Sequence, residues 1–203
     1  MAYFVSFDTN TLLTGNFDAI QAASYAVADR DLPPELNVCK NNLSPPTRQV
    51  TVQASAGRIS SSALSAQCGN DSICIVPIGT TVEVDTSLNL GALIVRGKVE
   101  WNDISQINPS AFLCAGYVAV EGNGEWDMDL QAKDAFIYVK DNGAVHPNLR
   151  SRAFGSYAST DTDYPIINIS GRELDRTWSL LSNPIQSGDN KIMLMHNAHL
   201  MGW

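Results

Sequence analysis

Residues 76–84 read VPIGTTVEV, which is an apolar strand, a glycine corner and a second strand with alternating polarity. The same phrase recurs as LIVRGKVEW at 93–101, VAVEGNGEW at 118–126, IYVKDNGAV at 137–145 and INISGREL at 167–174. Its corner glycines, from Gly79 to Gly171, lie about 18, 25, 21 and 28 residues apart, which is the size range of a solenoid repeat. Because one such unit cannot bury its apolar face alone, the repeat predicts an all-β fold: a β-solenoid, or parallel β-helix-like stack of strand pairs.

The composition excludes two classes of partner. The formal net charge is −8 and the sequence pI is about 4.7, and the 13 basic residues are scattered. A nucleic-acid partner is therefore excluded, because phosphate binding needs clustered Lys and Arg. No apolar run reaches the length of a transmembrane segment. The start, MAYFVSF, lacks the pattern of a signal peptide, and the end, HLMGW, stops inside a strand-to-turn pattern, so we expect a piece of a larger protein.

The N-terminal part, residues 1–49, is predicted to be an attachment to the β domain. Residues 2–7 have the pattern of a short strand. Asn16 is a candidate N-cap for a helix over 17–30, and the Pro33–Pro34 pair ends it. Further prolines mark a connector up to residue 50.

From residue 50 to 203 we predict strands and turns, with one helix, the N-terminal one, in the whole chain. The serines at 60–62 have the composition of a loop, and residues 146–165 are polar and rich in Ser and Thr. That second stretch is too long for a simple corner, so it predicts an inserted surface loop.

The four cysteines, Cys39, Cys68, Cys74 and Cys114, are an even set that allows three disulfide connectivities. We favour Cys68–Cys74, which closes the small polar loop CGNDSIC, together with Cys39–Cys114, which ties the N-terminal segment to the β domain. A zinc site is the rival interpretation, but the tight CxxC spacing typical of zinc is absent.

Three N-x-S/T sequons occur, at Asn42, Asn70 and Asn168. The first two lie in polar stretches that suit a glycan. Asn168 lies in the apolar strand IINIS, where a plain sheet residue is the alternative. Cysteines, sequons, acidity and low Lys content together favour an extracellular or cell-surface location.

The densest acidic cluster is EWDMD at 125–129. In a strand, Glu125, Asp127 and Asp129 share one face, and Trp126 and Met128 share the other. Three carboxylates on one face could bind Ca²⁺, or could supply the acid and base of glycoside hydrolysis. A solvated face above an apolar one explains the same alternation and is the favoured interpretation.

His196 and His199 are the only close histidine pair and are candidate metal ligands. In a strand their odd spacing would put them on opposite faces, so a shared metal would require a turn between them. His146 precedes a proline and is interpreted as a loop residue.

The four tryptophans, Trp101, Trp126, Trp178 and Trp203, could stack on sugars if exposed. Packed core positions or an end-cap are the favoured interpretation. No nucleophile-elbow, phosphate-loop, dinucleotide-binding or H-E-x-x-H motif occurs.

Residues 50–203 resemble the G8 domain family, whose pattern is repeated β-strand pairs with eight glycines. The closing segment INISGRELDRTWSLLSNPIQSGDNKIMLMHNAHLMGW and the upstream segment VEVDTSLNLGALIVRGKVEW carry the resemblance. The matching positions are Gly91, Gly97, Gly171, Trp178, Leu180 and Gly188. G8 domains occur in cell-surface hyaluronan-degrading proteins and in fibrocystin-like receptors, so the resemblance implies an extracellular role and carries over no catalytic residue.

Three functions are therefore open. The first is a non-catalytic extracellular β-domain, structural or glycan-interacting, of a larger secreted or cell-surface protein. The second is the N-terminal part of a polysaccharide-degrading, hyaluronidase-like β-helix enzyme. The third is a subunit of an extracellular filament, in which solenoid ends associate with one another or with a neighbouring protein partner. No cofactor is expected apart from a possible Ca²⁺.

Overall fold

The computed structural model describes residues 2–5, 34–41, 43–102, 110–130, 134–171, 178–188 and 193–197. The chain divides into two compact units, Met1–Gly171 and Arg172–Trp203. This division does not test the predicted boundary at residue 49, which stays a prediction. The predicted helix at 17–30 lies outside the described residues.

Most regular structure in the described residues is strand. In chain order the strands are β1 Ala2–Val5, β2 Arg48–Thr51, β3 Arg58–Ser60, β4 Ser72–Val76, β5 Thr81–Val84, β6 Leu88–Asn89, β7 Ala92–Val95, β8 Lys98–Asn102, β9 Ser110–Ala115, β10 Val118–Glu121, β11 Glu125–Leu130, β12 Asp134–Val139, β13 Val145–His146, β14 Arg150–Ser151, β15 Phe154–Tyr157 and β16 Ile166–Gly171. The helices are α1 Ser61–Gln67 and two 3₁₀ segments, Pro34–Lys40 and Ser55–Gly57.

The strands form three sheets in which every pairing is parallel, plus the antiparallel pair β13–β14. Sheet A has the order β1-β12-β9-β6, sheet B the order β15-β10-β7-β4-β2 and sheet C the order β16-β11-β8-β5-β3. From β4 to β12 the chain visits sheets B, C and A in rotation three times. The predicted mainly-β class is confirmed, and the sheets are parallel.

One apolar core joins the inner faces of the three sheets. It holds Leu113 from sheet A, Leu93 and Val118 from sheet B, and Val99 and Trp126 from sheet C. The period-two pattern of the sequence produces it, because alternate side chains of a strand point to opposite faces. In β11, for example, Trp126, Met128 and Leu130 are buried, and Asp127 and Asp129 between them are not.

The outer face of sheet A is covered by the 3₁₀ segment Pro34–Lys40. Leu36 and Cys39 of this segment pack with Cys114 on β9, and all three are buried. The outer face of sheet B is covered by the segment 140–153. Its Ala144 is buried in a second apolar cluster with Ile94 of β7 and Tyr117, which directly precedes β10.

Helix α1 contradicts the loop predicted at residues 60–62. The Ser60 hydroxyl accepts a hydrogen bond from the Ala63 amide at 3.2 Å and so caps the helix. Leu64 is buried in the central core, which anchors the helix. A serine run is compatible with a helix start because a serine hydroxyl can satisfy the first free amides.

The loop predicted at 146–165 is partly wrong. It contains β14 and β15, and β15 continues sheet B beside β10. Its polar composition hid the strand, because only Phe154 and Tyr157 mark β15 as a packing element. The residues that follow, 158–165, are irregular as predicted. The predicted N-terminal strand is present as β1, paired with β12.

The glycine corners are confirmed between sheets B and C, at Gly79, Gly97 and Gly122. Gly79 and Gly122 have φ of +79° and +61°, which suits glycine. Gly97 is required for a different reason. A Cβ atom there would overlap the backbone oxygens of Pro77 and Thr80, so this corner needs glycine for close approach.

Candidate functional site

The outer face of sheet C is largely polar, with Ile166 on β16 as an exposed apolar residue, and we call it the polar face. The alternation of the strands places it there, opposite the core-facing residues. Its members are Arg58, Ser60, Thr81, Glu83, Lys98, Glu100, Glu125, Asp127, Asp129, Asn168 and Ser170.

Parallel pairing in register brings these side chains into rows across the strands. Lys98 on β8 is paired with Glu125 on β11. In the next row Glu100 is paired with Asp127, which is paired with Asn168 on β16. Each row therefore sets charged and polar groups from neighbouring strands side by side.

Arg58 bridges two carboxylates at one end of the polar face. Its guanidinium binds the carboxylate of Glu83, and its Nη2 lies 2.9 Å from Oε2 of Glu100. These two contacts raise the pKa of Arg58, with the hydrogen bond to Glu83 the largest cause.

Lys98 lies among three carboxylates further along the polar face. Its Nζ is 2.9 Å from Glu125, 3.4 Å from Asp127 and 3.8 Å from Glu100. The hydrogen bond to Glu125 is the main reason that the pKa of Lys98 is raised. The ammonium therefore stays charged over the whole physiological range of pH.

The predicted acidic cluster is on this face, as its alternation indicated. Glu125 and Asp127 share Lys98, while the Asp129 carboxylate accepts a hydrogen bond from the Ser170 hydroxyl at 2.8 Å. Asn168 donates its side-chain N–H to Asp127 at 3.0 Å. Within the described ranges, no group of three or more His, Cys, Asp or Glu residues is arranged to hold a metal ion.

The predicted histidine pair is only half described. The Nδ1 of His196 lies 3.0 Å from the Ser179 hydroxyl, and its ring meets Trp178 edge to face at 6.2 Å. His199 lies outside the described residues, so the pair stays a prediction.

His146 is a buried structural residue, which the sequence did not indicate. Its Nδ1 accepts the backbone N–H groups of Asn148 and Leu149 at 3.3 and 3.0 Å. The proton is therefore on Nε2, which donates to Glu121 at 2.8 Å. Arg96 binds the other oxygen of Glu121 at 3.0 Å. This arrangement holds the turn of the segment that covers sheet B.

The tryptophans separate into two groups. Trp101 and Trp126 are buried in the core with ring centroids 5.9 Å apart, so they cannot stack on a sugar. Trp178 is 56% exposed. Trp203 lies outside the described residues.

Both predicted disulfides are present. Cys39–Cys114 spans 75 residues and Cys68–Cys74 spans 6, with Cα atoms 5.5 and 5.9 Å apart. No cysteine of the chain is free. The zinc alternative is therefore wrong in this structure, because all four sulfur atoms are bonded in pairs.

The sequons have different surroundings. Asn168 is exposed on the polar face, and Asn70 is partly buried and accepts a hydrogen bond from Lys140. Asn42 lies outside the described residues.

Sequence reasoning missed Arg58, Glu83, Lys98 and Glu100 as members of this face. The signal was available, because LIVRGKVEW sets Lys98 and Glu100 on one face and Val99 and Trp101 on the other, like EWDMD. The sequence pattern did not show which strands pair with one another.

No described helix has the length and apolar character needed to cross a membrane. Comparison with protein-family models, with curated proteins and with solved structures finds no match to this chain.

Proposed function

We propose that this chain is a non-catalytic extracellular β-domain, built as a parallel β-solenoid, whose polar face binds a neutral glycan. The repeated visits to sheets B, C and A around one core support the solenoid. The G8 resemblance of residues 50–203 is consistent with this proposal and forms part of it.

The observation that carries the proposal is the difference between the outer faces of the sheets. Sheets A and B each bury apolar outer residues beneath a segment of the same chain. On sheet C the side chains of Arg58, Glu83 and Glu125 are 58%, 46% and 39% exposed. A broad polar surface on a rigid sheet suits recognition of a hydroxyl-rich ligand, because its side chains are already held in rows.

The charge of the polar face selects the class of glycan. It carries five carboxylates, Glu83, Glu100, Glu125, Asp127 and Asp129, against the two cations Arg58 and Lys98. Carboxylates accept strong hydrogen bonds from sugar hydroxyls. A polyanionic glycan would be repelled by the same groups, so we expect neutral glycans to bind in preference to hyaluronan-like ones.

The extracellular location is supported by the two disulfides. Disulfides persist in oxidising compartments and are rare where thiols are kept reduced. Cys39–Cys114 also fixes the covering segment on sheet A, which suits a domain that must stay folded outside the cell.

The test is a glycan array that carries neutral, sulfated and uronic-acid glycans. We expect the protein to retain neutral glycans. The double variant Glu125→Gln/Asp127→Asn should bind them about tenfold more weakly, which equals about 1.4 kcal/mol.

The matched control is Asp141→Asn, which removes a carboxylate from the segment that covers sheet B and should leave binding unchanged. Retention of sulfated or uronic-acid glycans alone, or equal loss of binding in both variants, would overturn the proposal.

Self-association into a filament is a second candidate, favoured by one observation. In the described residues, the edge strands β2 and β15 of sheet B each pair with a single strand, and so do β3 and β16 of sheet C. Such edges can pair with another copy. Sedimentation velocity at rising concentration should then show growing assemblies.

The variant Ile166→Lys, at the start of β16, should abolish these assemblies, because an edge lysine blocks pairing. Ile78→Lys is the control, since Ile78 is 82% exposed in the corner turn between β4 and β5. A monomer at every concentration would remove this candidate. No contact among the described residues favours the enzyme alternative, since Glu125 and Asp127 of the polar face both bind Lys98.

A further inference from the structure

Lys140 is a fully buried lysine, and nothing in the proposed function uses it. It follows β12 directly, at the corner where the chain leaves sheet A, and its backbone N–H donates to the Ala115 carbonyl at 2.8 Å. Its Nζ contacts the side-chain Oδ1 of Asn70 and lies 2.9 Å from the Oδ1 of Asn89. The amine is thus enclosed with two primary amides.

The fold builds this site from three distant parts of the chain. Asn70 is 70 positions from Lys140 and Asn89 is 51 positions away. Asn70 lies in the loop closed by Cys68–Cys74, which limits its movement. Gly91 allows its own backbone to lie close to that of Asn70, because a Cβ at Gly91 would lie 2.8 Å from the backbone oxygen of Asn70.

Burial also prepares the amine for reaction. Removing an ammonium from water disfavours its charge, and burial lowers the pKa of Lys140 to about 8. A fraction of the amine is therefore neutral and nucleophilic near neutral pH. Holding a nucleophile against an acyl carbon raises its effective concentration by many orders of magnitude.

We propose that Lys140 and Asn70 form an intramolecular isopeptide bond. The lone pair of Nζ attacks Cγ of Asn70, so a C–N bond forms. The bond between Cγ and Nδ2 breaks, one proton passes from Nζ to Nδ2, and Nδ2 leaves as ammonia. The step exchanges one amide for another, and it needs no oxidant or reductant.

Asn89 is a positioning residue in this step. Its Oδ1 accepts a hydrogen bond from Nζ, which directs the amine while the bond forms. Asn70 is only partly buried, so ammonia has a way out to solvent.

The bond has two consequences for the molecule. It joins residues 70 and 140 through a link that reducing agents do not break, in addition to the two disulfides. It also consumes the Nδ2 atom of Asn70, so a chain with this bond carries no N-glycan at that sequon.

The test is the intact mass of the denatured and fully reduced protein, followed by peptide mapping. The mass should be lower than the sequence mass by one ammonia molecule. Trypsin should release residues 59–96 joined to residues 134–150, with cleavage after Lys140 blocked, and fragment ions should place the link on Asn70.

The controls separate this bond from a succinimide at Asn70–Asp71, which also loses ammonia. Lys140→Arg and Asn70→Ala should both remove the joined peptide, and Asn89→Ala should slow its formation. The mapping needs only the wild-type protein, so it remains decisive if a variant fails to fold. Wild-type protein at the full sequence mass after incubation at pH 9, or an ammonia loss that persists in Lys140→Arg, would overturn the proposal.

Discussion

Strands of sheets B and C follow one another directly along the chain, yet the outer face of sheet B is largely apolar and buried, and that of sheet C is largely polar and exposed. On sheet B, β7 reads ALIV and is buried on both sides. On sheet C, β11 reads EWDMDL, and only its alternate residues face the core. Strands covered on both faces have continuous apolar runs, and strands with one solvated face alternate.

Apolar residues of the outer faces are concentrated where another segment of the chain covers the sheet. Tyr117, which directly precedes β10, and Ala119 on the outer face of β10 have 2% and 0% exposure, because the segment 140–153 lies over them. The corresponding positions of sheet C hold Lys98 and Glu125, which meet solvent and each other. Within the described residues, the outer face of sheet C is therefore the one exposed for contact with a partner.

The largest effect is expected where a charge is placed beneath the cover of sheet B. Ala119→Asp would bury an unpaired carboxylate in the second apolar cluster and should cost about 3–5 kcal/mol of unfolding free energy. Thr81 lies between Arg58 and Lys98 in its row of the polar face. Thr81→Asp should therefore change the free energy of unfolding by less than about 0.5 kcal/mol. Urea denaturation compares the two. Equal costs would contradict the difference between the faces.

A smaller effect is expected at the corners that join sheets B and C. Gly97→Ala should lower the free energy of unfolding by about 3 kcal/mol, because its methyl group would overlap backbone oxygens that cannot move away. Gly79→Ala has no atom within 4 Å of the new methyl group and should cost only about 1 kcal/mol, from its positive φ. Thermal unfolding of both variants measures this order, and a reversed order would show that the layers are not stacked this closely.

The smallest effect is expected in residues 158–165, which lead from β15 to β16. The Asp163 carboxylate accepts hydrogen bonds from Ser159 and Thr160, and the Ser159 hydroxyl is the first cause that lowers its pKa from 3.8 to about 2. Because the folded pKa is the lower one, this group stabilises the fold above about pH 4, and the contribution is lost as the pH falls through 2.

Carboxyl NMR titration should therefore place the midpoint of Asp163 near pH 2. The variant Asp163→Asn should be slightly less stable than wild type at pH 7, with a difference that disappears in acid. A midpoint at the ordinary value would show that these hydrogen bonds do not persist in solution.

The sequence predicted the structural features that depend on residues close together along the chain. The alternation of β11, the corners at Gly79 and Gly122 and the local disulfide Cys68–Cys74 are all local patterns. The Cys39–Cys114 pairing was favoured as well, because it would tie the N-terminal segment to the β domain, and the structure contains it.

What the sequence did not predict depends on contacts between distant residues. His146 acquires its role from Glu121 and from the turn it holds, and Lys140 acquires its role from Asn70 and Asn89. The sequence did not predict helix α1, because the helix is anchored by Leu64, which is buried in a core that the three sheets form together. No single-residue preference encodes such pairings.

We propose the polar face as the contact surface of this domain. Carbodiimide labelling of carboxylates, with and without a neutral glycan retained on the array, tests it most directly. Bound glycan should lower the labelling of Glu125 and Asp127 and leave the labelling of Asp141 unchanged. Protection of Asp141 with continued labelling of Glu125 and Asp127 would contradict it.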